Sequence, residues 1–166
     1  GAGGAALAVR GGRTGFPEGL YAAIARVPGV AVASPMLDLG VALADERGTS
    51  RASIRLIGID SLRAGQVQPA LFAGEPRRVF DLMKPDTVLL SAGAAAALGL
   101  KAGDRLALLA GSGRVELEVT GVVSGLRGNA AWTDIATAQW RLGRLGNLNR
   151  IDLRLNPGAD LATVRA

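Results

Sequence analysis

The stretch "AALGLKAGDRLALL", Ala96 to Leu109, decides how this chain folds. Seven of its fourteen residues are Leu or Gly, and a Gly-Asp step separates two apolar halves. It reads as a helix handing over to a strand, not as a ligand-cradling loop. Gly99 stands where a left-handed residue ends a helix, and Leu100 comes next, where such a cap places its apolar contact. The run Lys101 to Asp104 turns the chain, and residues 105–110 extend as a strand. Upstream, "TVLLS" is a strand, and Ser91 caps the short Ala-rich helix. Downstream, "RVELEVTGVV" returns across "GSG" as the antiparallel partner. Val115, Leu117, Val119 and Val123 are expected on one face; Arg114, Glu116, Glu118 and Thr120 are expected on the other.

Working outward, residues 5–9 form a weak strand. "FPEGLYAAIARVPG" forms a helix with Phe16, Leu20, Ile24 and Val27 on one face. Pro17 suits its first turn, and Gly29 suits the position just past its end. "VAVASPMLDLGVALADE" is extended, and Pro35 makes it an edge strand or a bent one. "DERGTS" is a hairpin tip, and "RASIRLIGID" is the return strand. Residues 61–86 have little clean periodicity and are expected to hold one short helix and a long surface loop. After residue 129 the opening pattern resumes. "AWTDIA" is a strand, Thr137 caps a short helix with Gly146 beyond it, and "RIDLRL" alternates with Ile151, Leu153 and Leu155 inward. "NPGAD" starts a last helix. The order is strand-helix-strand-strand, an insert, then strand-helix-strand-helix, with breaks near Asp60 and near 125–129. Such an order implies an α+β fold.

Composition removes several function classes. Apolar residues make up 49% and charged residues 20% of the 166, so the chain is globular. Aromatics are only 4%, so the core is built from Leu, Val, Ile and Ala. With no Cys and no His, disulfides, thiolate metal sites, the usual zinc sites and His-dependent nucleophilic catalysis are excluded. The absence of Cys also makes the chain indifferent to redox compartment. The net charge of +5 is spread evenly: 9 bases and 7 acids in 1–83, 10 and 7 in 84–166. A basic block that would mark nucleic-acid binding is missing. No run approaches the roughly 20 apolar residues that cross a bilayer. Both ends look cut, as in a piece excised from a longer protein.

Several stretches then point to a family. "VPGVAVASPML", "IRLIGID", "VLLSAGAAAALGLKAGDRLALL", "LEVTGVV" and "DIATAQWRLGRLGNLNRIDLRLNPGAD" succeed one another in a characteristic order and spacing. The chain resembles, from about Phe16 onward, the extracytoplasmic core domain of ABC transporter permeases. That group includes the MacB-type efflux pumps, the lipoprotein-releasing permeases and the FtsX-like proteins. The resemblance implies a two-lobed α+β fold. A porter-like α/β lobe would come from both chain ends, residues 1–60 and 130–166, and a β-rich lobe, residues 61–129, would be inserted between them. It further implies a periplasmic domain on the outer side of the cytoplasmic membrane, between two transmembrane helices that flank this sequence. ATP would be used by a separate cytoplasmic ATPase subunit or domain, and no cofactor is expected here. The implied partners are the membrane part of the same permease, that ATPase indirectly, and a periplasmic adaptor or lipoprotein; the full permease would be a dimer.

Each motif has a plainer reading. "GAGGAALA" lacks the order of a phosphate loop, and no GK[ST] occurs, so this chain is not the ATPase part. Asp60, Glu75, Asp104 and Asp134 sit at strand ends and turns, where Asp accepts local hydrogen bonds. Ser91 has no base within reach in sequence and reads as a cap. Trp132 and Trp140 read as core. Arg141, Arg144, Arg150 and Arg154 read as a solvated face, or as a contact for anionic lipid head groups. The segment around "LFAGEPRRVFDLMKPD" carries the candidate contact residues Phe72, Arg77, Arg78, Phe80, Leu82 and Met83. Aromatics, Met and Arg are enriched at protein contacts; the alternative is that Phe72, Phe80 and Leu82 plug the core. The expected role is therefore non-enzymatic: to bind a partner or substrate and relay ATP-driven motion. Two rivals stand beside it, a soluble binder of a small molecule, lipid or glycan in an inter-lobe cleft, and a small-barrel regulatory module.

Overall fold

The computed structural model describes residues 6–12, 14–44, 52–67, 69–72, 77–111, 113–124 and 128–158. In chain order the elements are β1 (Ala6–Arg10), β2 (Phe16–Pro17), α1 (Gly19–Ala25), β3 (Val30–Leu43) and β4 (Ser53–Ile59). Then come α2 (Ser61–Val67), a 3-10 turn (Pro69–Phe72), α3 (Arg77–Met83), β5 (Thr87–Ser91) and α4 (Ala92–Leu98). The chain continues with β6 (Arg105–Ala110), β7 (Gly113–Val123), β8 (Ala130–Asp134), α5 (Ile135–Arg141), β9 (Asn147–Leu148) and β10 (Arg150–Leu155). The mixed α+β class is as expected. Among the described residues no helix is long and apolar enough to cross a membrane.

One sheet of eight strands carries the fold, in the order β1-β10-β3-β4-β8-β5-β7-β6. A further pairing, Ala42 with Leu109 and Leu43 with Leu108, joins β6 back to β3. The strands β3, β4, β8, β5, β7 and β6 therefore close on themselves as a barrel. Alternate residues of all six meet in one cluster: Val41, Leu56, Ala131, Leu90, Leu117 and Leu106 are representative. The alternation that makes a half-buried strand on an open sheet here fills the inside of a barrel. Ala94 and Ala95 of α4 also join that cluster, and Leu142, just past α5, packs against it.

The other face of the same strands supplies a second cluster. Ile57, Ile59, Leu89, Trp132 and Val123 pack there under Ala64, Leu71, Phe72 and Leu82 from the segment 61–83. That segment is more helical than its irregular sequence suggested. A third cluster lies where both chain ends meet: Ala33, Ile151, Leu153 and Leu155, with Leu7, Val9, Phe16, Tyr21 and Ile24 packed on it. The breaks anticipated at Asp60 and 125–129 are crossed by the sheet and by the first two clusters. Ile54 and Leu56 share the first with Val88, and Ile59 shares the second with Ala64 and Leu71.

The helix end at Gly99 is as the sequence implied. Gly99 is left-handed at φ 66°, Ser91 Oγ accepts from Ala94 N at 3.2 Å, and Leu100 N donates back to Ala95 O at 3.0 Å. The stretch from Ala96 is thus a capped helix end and a turn. Val123 departs from its predicted face. Between Val88/Val119 and Leu89/Gly121 the register gains one residue, Thr120, and this bulge reverses the inside–outside parity from Gly121 onward. Val115, Leu117 and Val119 stay inside, while Val123 joins the outer cluster. The helix predicted from Phe16 starts only at Gly19, because Phe16 and Pro17 pair with Leu148 and Asn147 as a short strand. Tyr21, not Leu20, turns to the core, and Leu20 is exposed. Pro35 does not lie on an edge strand: β3 has β10 on one side and β4 on the other, and the β4 ladder begins one residue later, at Met36. The cap of α5 is Asp134, which accepts from Ala136 N at 3.0 Å; Thr137 is buried within the helix. The hairpin tip 45–50 and most of the last predicted helix lie outside the described residues.

Candidate partner-contact face

Five of the six contact candidates fall on the two sides of α3, and the sixth, Phe72, ends the 3-10 turn before it. Phe72 and Leu82 are buried and belong to the core against the barrel. Their removal from the surface is what seats α3: Leu82 and Val79 form its inner face. Phe80 and Met83, three residues apart, share the outward face, with Phe80 68% exposed and Met83 47%. Arg77 is exposed as well, while Arg78 is half-buried and donates to Val122 O at 3.2 Å. The bland reading thus holds for two of the three large apolar residues and not for Phe80.

Sequence reasoning missed the neighbour that completes this face. Trp140, expected in the core, is 68% exposed on α5, whereas Trp132 is 5% exposed on β8. Thr137 and Ala138 form the inner side of α5, and Trp140 lies about 200° round the helix from Ala138. That phase was the available signal; it was masked because a Trp in an Ala-rich chain invites a core assignment. Met83, Pro85, Asp86, Thr137, Trp140 and Arg141 line a shared open concavity of about 340 Å³.

Asp86 holds the junction of this concavity. It is the one non-glycine residue with positive φ, 59°, among the described residues. Asp tolerates that region better than most residues, and its neighbours fix it there. Its amide donates to Thr137 Oγ1 at 3.3 Å, and its carbonyl accepts from Glu118 N at 2.8 Å. Both carboxylate oxygens receive Arg141, each at 2.7 Å. The Arg141 guanidinium holds the Asp86 carboxyl below its ordinary range, against a smaller opposing effect of burial.

The catalytic candidates are occupied structurally. Ser91 is fully buried; its hydroxyl donates to Gly128 O at 2.9 Å and accepts from Ala94 N and Ala130 N at 3.2 and 3.1 Å. Its one proton and both lone pairs are therefore engaged. Asp60 accepts from Leu62 N and Arg63 N, Asp104 from Lys101 N, and Asp134 from Ser61 Oγ and Ala136 N. Glu75 lies outside the described residues. Among the described residues no group of three or more acidic, His or Cys side chains could hold a metal ion. The four arginines of 141–154 do not form one cluster. Arg141 pairs with Asp86 on α5, while Arg150 pairs with Asp38 and Asp152 in the sheet.

No curated protein matches the chain. Among solved structures, the periplasmic region of MacB from Actinobacillus actinomycetemcomitans superposes with a TM-score of 0.65 at 11% identity, covering 96% of this chain and 78% of that one. The extracellular domain of the noncanonic ABC-type transporter YknZ from Gram-positive bacteria gives 0.69 at 14% identity, covering 96% and 88%. A domain of a putative permease protein from Porphyromonas gingivalis gives 0.61 at 18% identity, covering 91% and 67%. At these identities the superpositions establish the fold. The family described as MacB-like periplasmic core domain matches residues 2–166. The chain belongs to the MacB-like periplasmic core domain family of ABC transporter permeases.

Proposed function

We propose that this domain is the non-catalytic moving part of its permease, which binds a periplasmic partner or substrate and relays motion driven by ATP hydrolysis elsewhere. The observation that carries this reading is the pairing of β1 with β10. Ala6 stands opposite Arg154, so the first and last strands enter and leave side by side at one end of the sheet. The β3–β4 ladder runs to the other end, where Leu43 N donates to Ala52 O. Two flanking membrane helices attached at the first end would move the domain as a lever, with the barrel as its far arm. ATP would be bound by a separate subunit or domain, and no cofactor is assigned to this one. A relay of this kind needs two arrangements whose balance the motor shifts.

The partner-binding half of the proposal rests on Met83 and Trp140, which line the concavity, and on the exposed Phe80 and Arg77 of α3, the helix that carries Met83. Exposed aromatic and Met side chains around a concavity are the composition of an anchor site. A periplasmic adaptor or lipoprotein is the partner class this reading favours, in a dimeric permease. The same concavity lies within the size range of ligand pockets, which favours a small-molecule, lipid or glycan binder as the second reading. The experiment is to place Phe80→Ala with Trp140→Ala in the full permease and to measure transport and ATPase activity beside folding. Reduced coupling of ATP use to transport with unchanged folding is expected. A parent polypeptide that is wholly water-soluble, or this chain turning over a substrate unaided, would overturn the proposal.

A further inference from the structure

The strand β3 contributes to all three hydrophobic clusters: Ala33 to that of the chain ends, Met36 to the outer one and Val41 to the barrel interior. Its two main ladders scarcely overlap. The β10 ladder runs from Val30 to Met36, and the β4 ladder from Met36 to Ala42. Only Met36 is paired with both β10 and β4, and on the β10 side no strand meets residues 37–41 among the described pairings. A sheet joined through one doubly paired residue is free to bend there, because few hydrogen bonds span the joint.

That joint is bridged by side chains. Asn149, just before β10, donates from Nδ2 to Asp38 O at 2.8 Å, and its Oδ1 accepts from Asp38 N at 2.7 Å. The amide thereby stands in for the next residue of a strand, extending the ladder past the end of β10. Arg150 reaches the same residue. Its guanidinium donates to Asp38 Oδ2 at 3.1 Å and to both oxygens of Asp152 at 2.6 and 2.9 Å. Arg55 of β4 holds Asp38 from the barrel side, at 2.8 Å to Oδ1 and 2.5 Å to Oδ2. The Arg150 and Asp152 side chains are only 11% and 8% exposed, so these bonds are shielded from competing water.

We infer that Asn149 and Arg150 form a clasp on Asp38 that stops β3 from bending at Met36, so that the chain-end part and the barrel turn as one body. The clasp deepens the relay reading: a lever that flexed at its midpoint would dissipate displacement before it reached the far arm. Asn149 and Arg150 are positioning residues, and Asp38 is the point they hold.

The clasp is tested in this chain alone, independently of any transport. The native sequence has no Cys, so Ala8→Cys and Lys101→Cys place spin labels, without background, at exposed sites in the chain-end part and on the barrel. The unaltered clasp should give one narrow inter-label distance distribution. Asn149→Ala with Arg150→Gln should broaden it. Amide exchange of residues 30–36 and 151–155 should rise by at least about thirtyfold, the effect of losing the two Asn149 amide bonds at ordinary strength, with the Arg150 bonds adding to it, while residues 88–90 and 115–119 keep their protection. A broad distribution in the unaltered chain overturns the inference whatever the variants do. So does a folded double variant whose distribution stays narrow, or one whose exchange rises equally everywhere. Should the double variant not fold, Asn149→Ala alone decides, because it removes only the amide pair and leaves every charge in place. If the clasp is verified and the double variant in the full permease transports normally, the relay reading fails while the clasp stands.

Discussion

The contact between Gly58 and α5 gives the sharpest test of the packing. A Cβ added at Gly58 would lie 2.6 Å from the Cβ of Ala138 and 3.4 Å from the Cα of Ile135. The first distance is far inside van der Waals contact, and neither atom is the end of a flexible side chain. Gly58→Ala must therefore push α5 off β4, and overpacking of this kind costs about 2 kcal/mol. In a chain of this length that lowers Tm by about 4–8 °C. Strand propensity alone argues the opposite sign, since Ala in a strand interior is favoured over Gly by about 0.5–1 kcal/mol. Ala138→Gly should itself cost about 1–2 kcal/mol, from helix propensity and one lost buried methyl. In that background the added Cβ has room, so Gly58→Ala should cost nothing further. Urea unfolding followed by the fluorescence of buried Trp132, whose strand neighbour is Ile57, measures all four corners of the cycle. A coupling of about 2 kcal/mol is expected; additivity within about 0.5 kcal/mol would refute the close approach of α5 to β4.

Asp38 and Asp86 are held below the ordinary carboxylate value, chiefly by hydrogen bonds from Arg55 and Arg141 respectively. The stability they add is present above the unfolded value of 3.8 and is lost as pH falls below it through the folded value. Thermal melts at about pH 6 and about pH 3 should thus diverge, and the gap should narrow in Asp38→Asn. Trp140→Ala should change stability by no more than about 0.5 kcal/mol, while Trp132→Ala should cost about 3–5 kcal/mol, both read by urea unfolding with circular dichroism. Acrylamide should quench the emission of Trp132→Phe strongly and that of Trp140→Phe weakly. Ser91→Ala removes the α4 cap and the bonds to Gly128 O and Ala130 N; a cost of about 1–3 kcal/mol, with faster exchange at the Ala94 and Ala130 amides, is expected.

The residues around Ala96–Leu109 show why some of this was legible in sequence. A Ser cap, an Ala-rich helix, a left-handed Gly and a Gly-Asp turn each act within a few residues of themselves. Their geometry at Ser91, Gly99 and Asp104 is accordingly as the sequence implied. The family was readable for a related reason: several such local signals recur in one order along nearly the whole chain. Val123 marks the limit of that reading. Period-two alternation is a local rule, but the bulge at Thr120 arises from pairing with β5, about thirty residues away in sequence.

The contact face fails to be legible for the same reason. Phe72, Phe80, Leu82, Met83, Trp132 and Trp140 are chemically alike in sequence. Which of them meets solvent is set by how α3 and α5 lie on the closed sheet. The clasp on Asp38 joins residues more than a hundred positions apart, and no local pattern marks it. The sequence by itself determined the class, the strand-helix-strand order around Ala96–Leu109, the cap at Ser91, the helix end at Gly99, and the lack of Cys and His chemistry, because short-range sterics and residue inventory decide these. Barrel closure, the exposed Trp140 face and the side-chain bridge at Met36 were decided only by tertiary structure, because each depends on where distant segments meet.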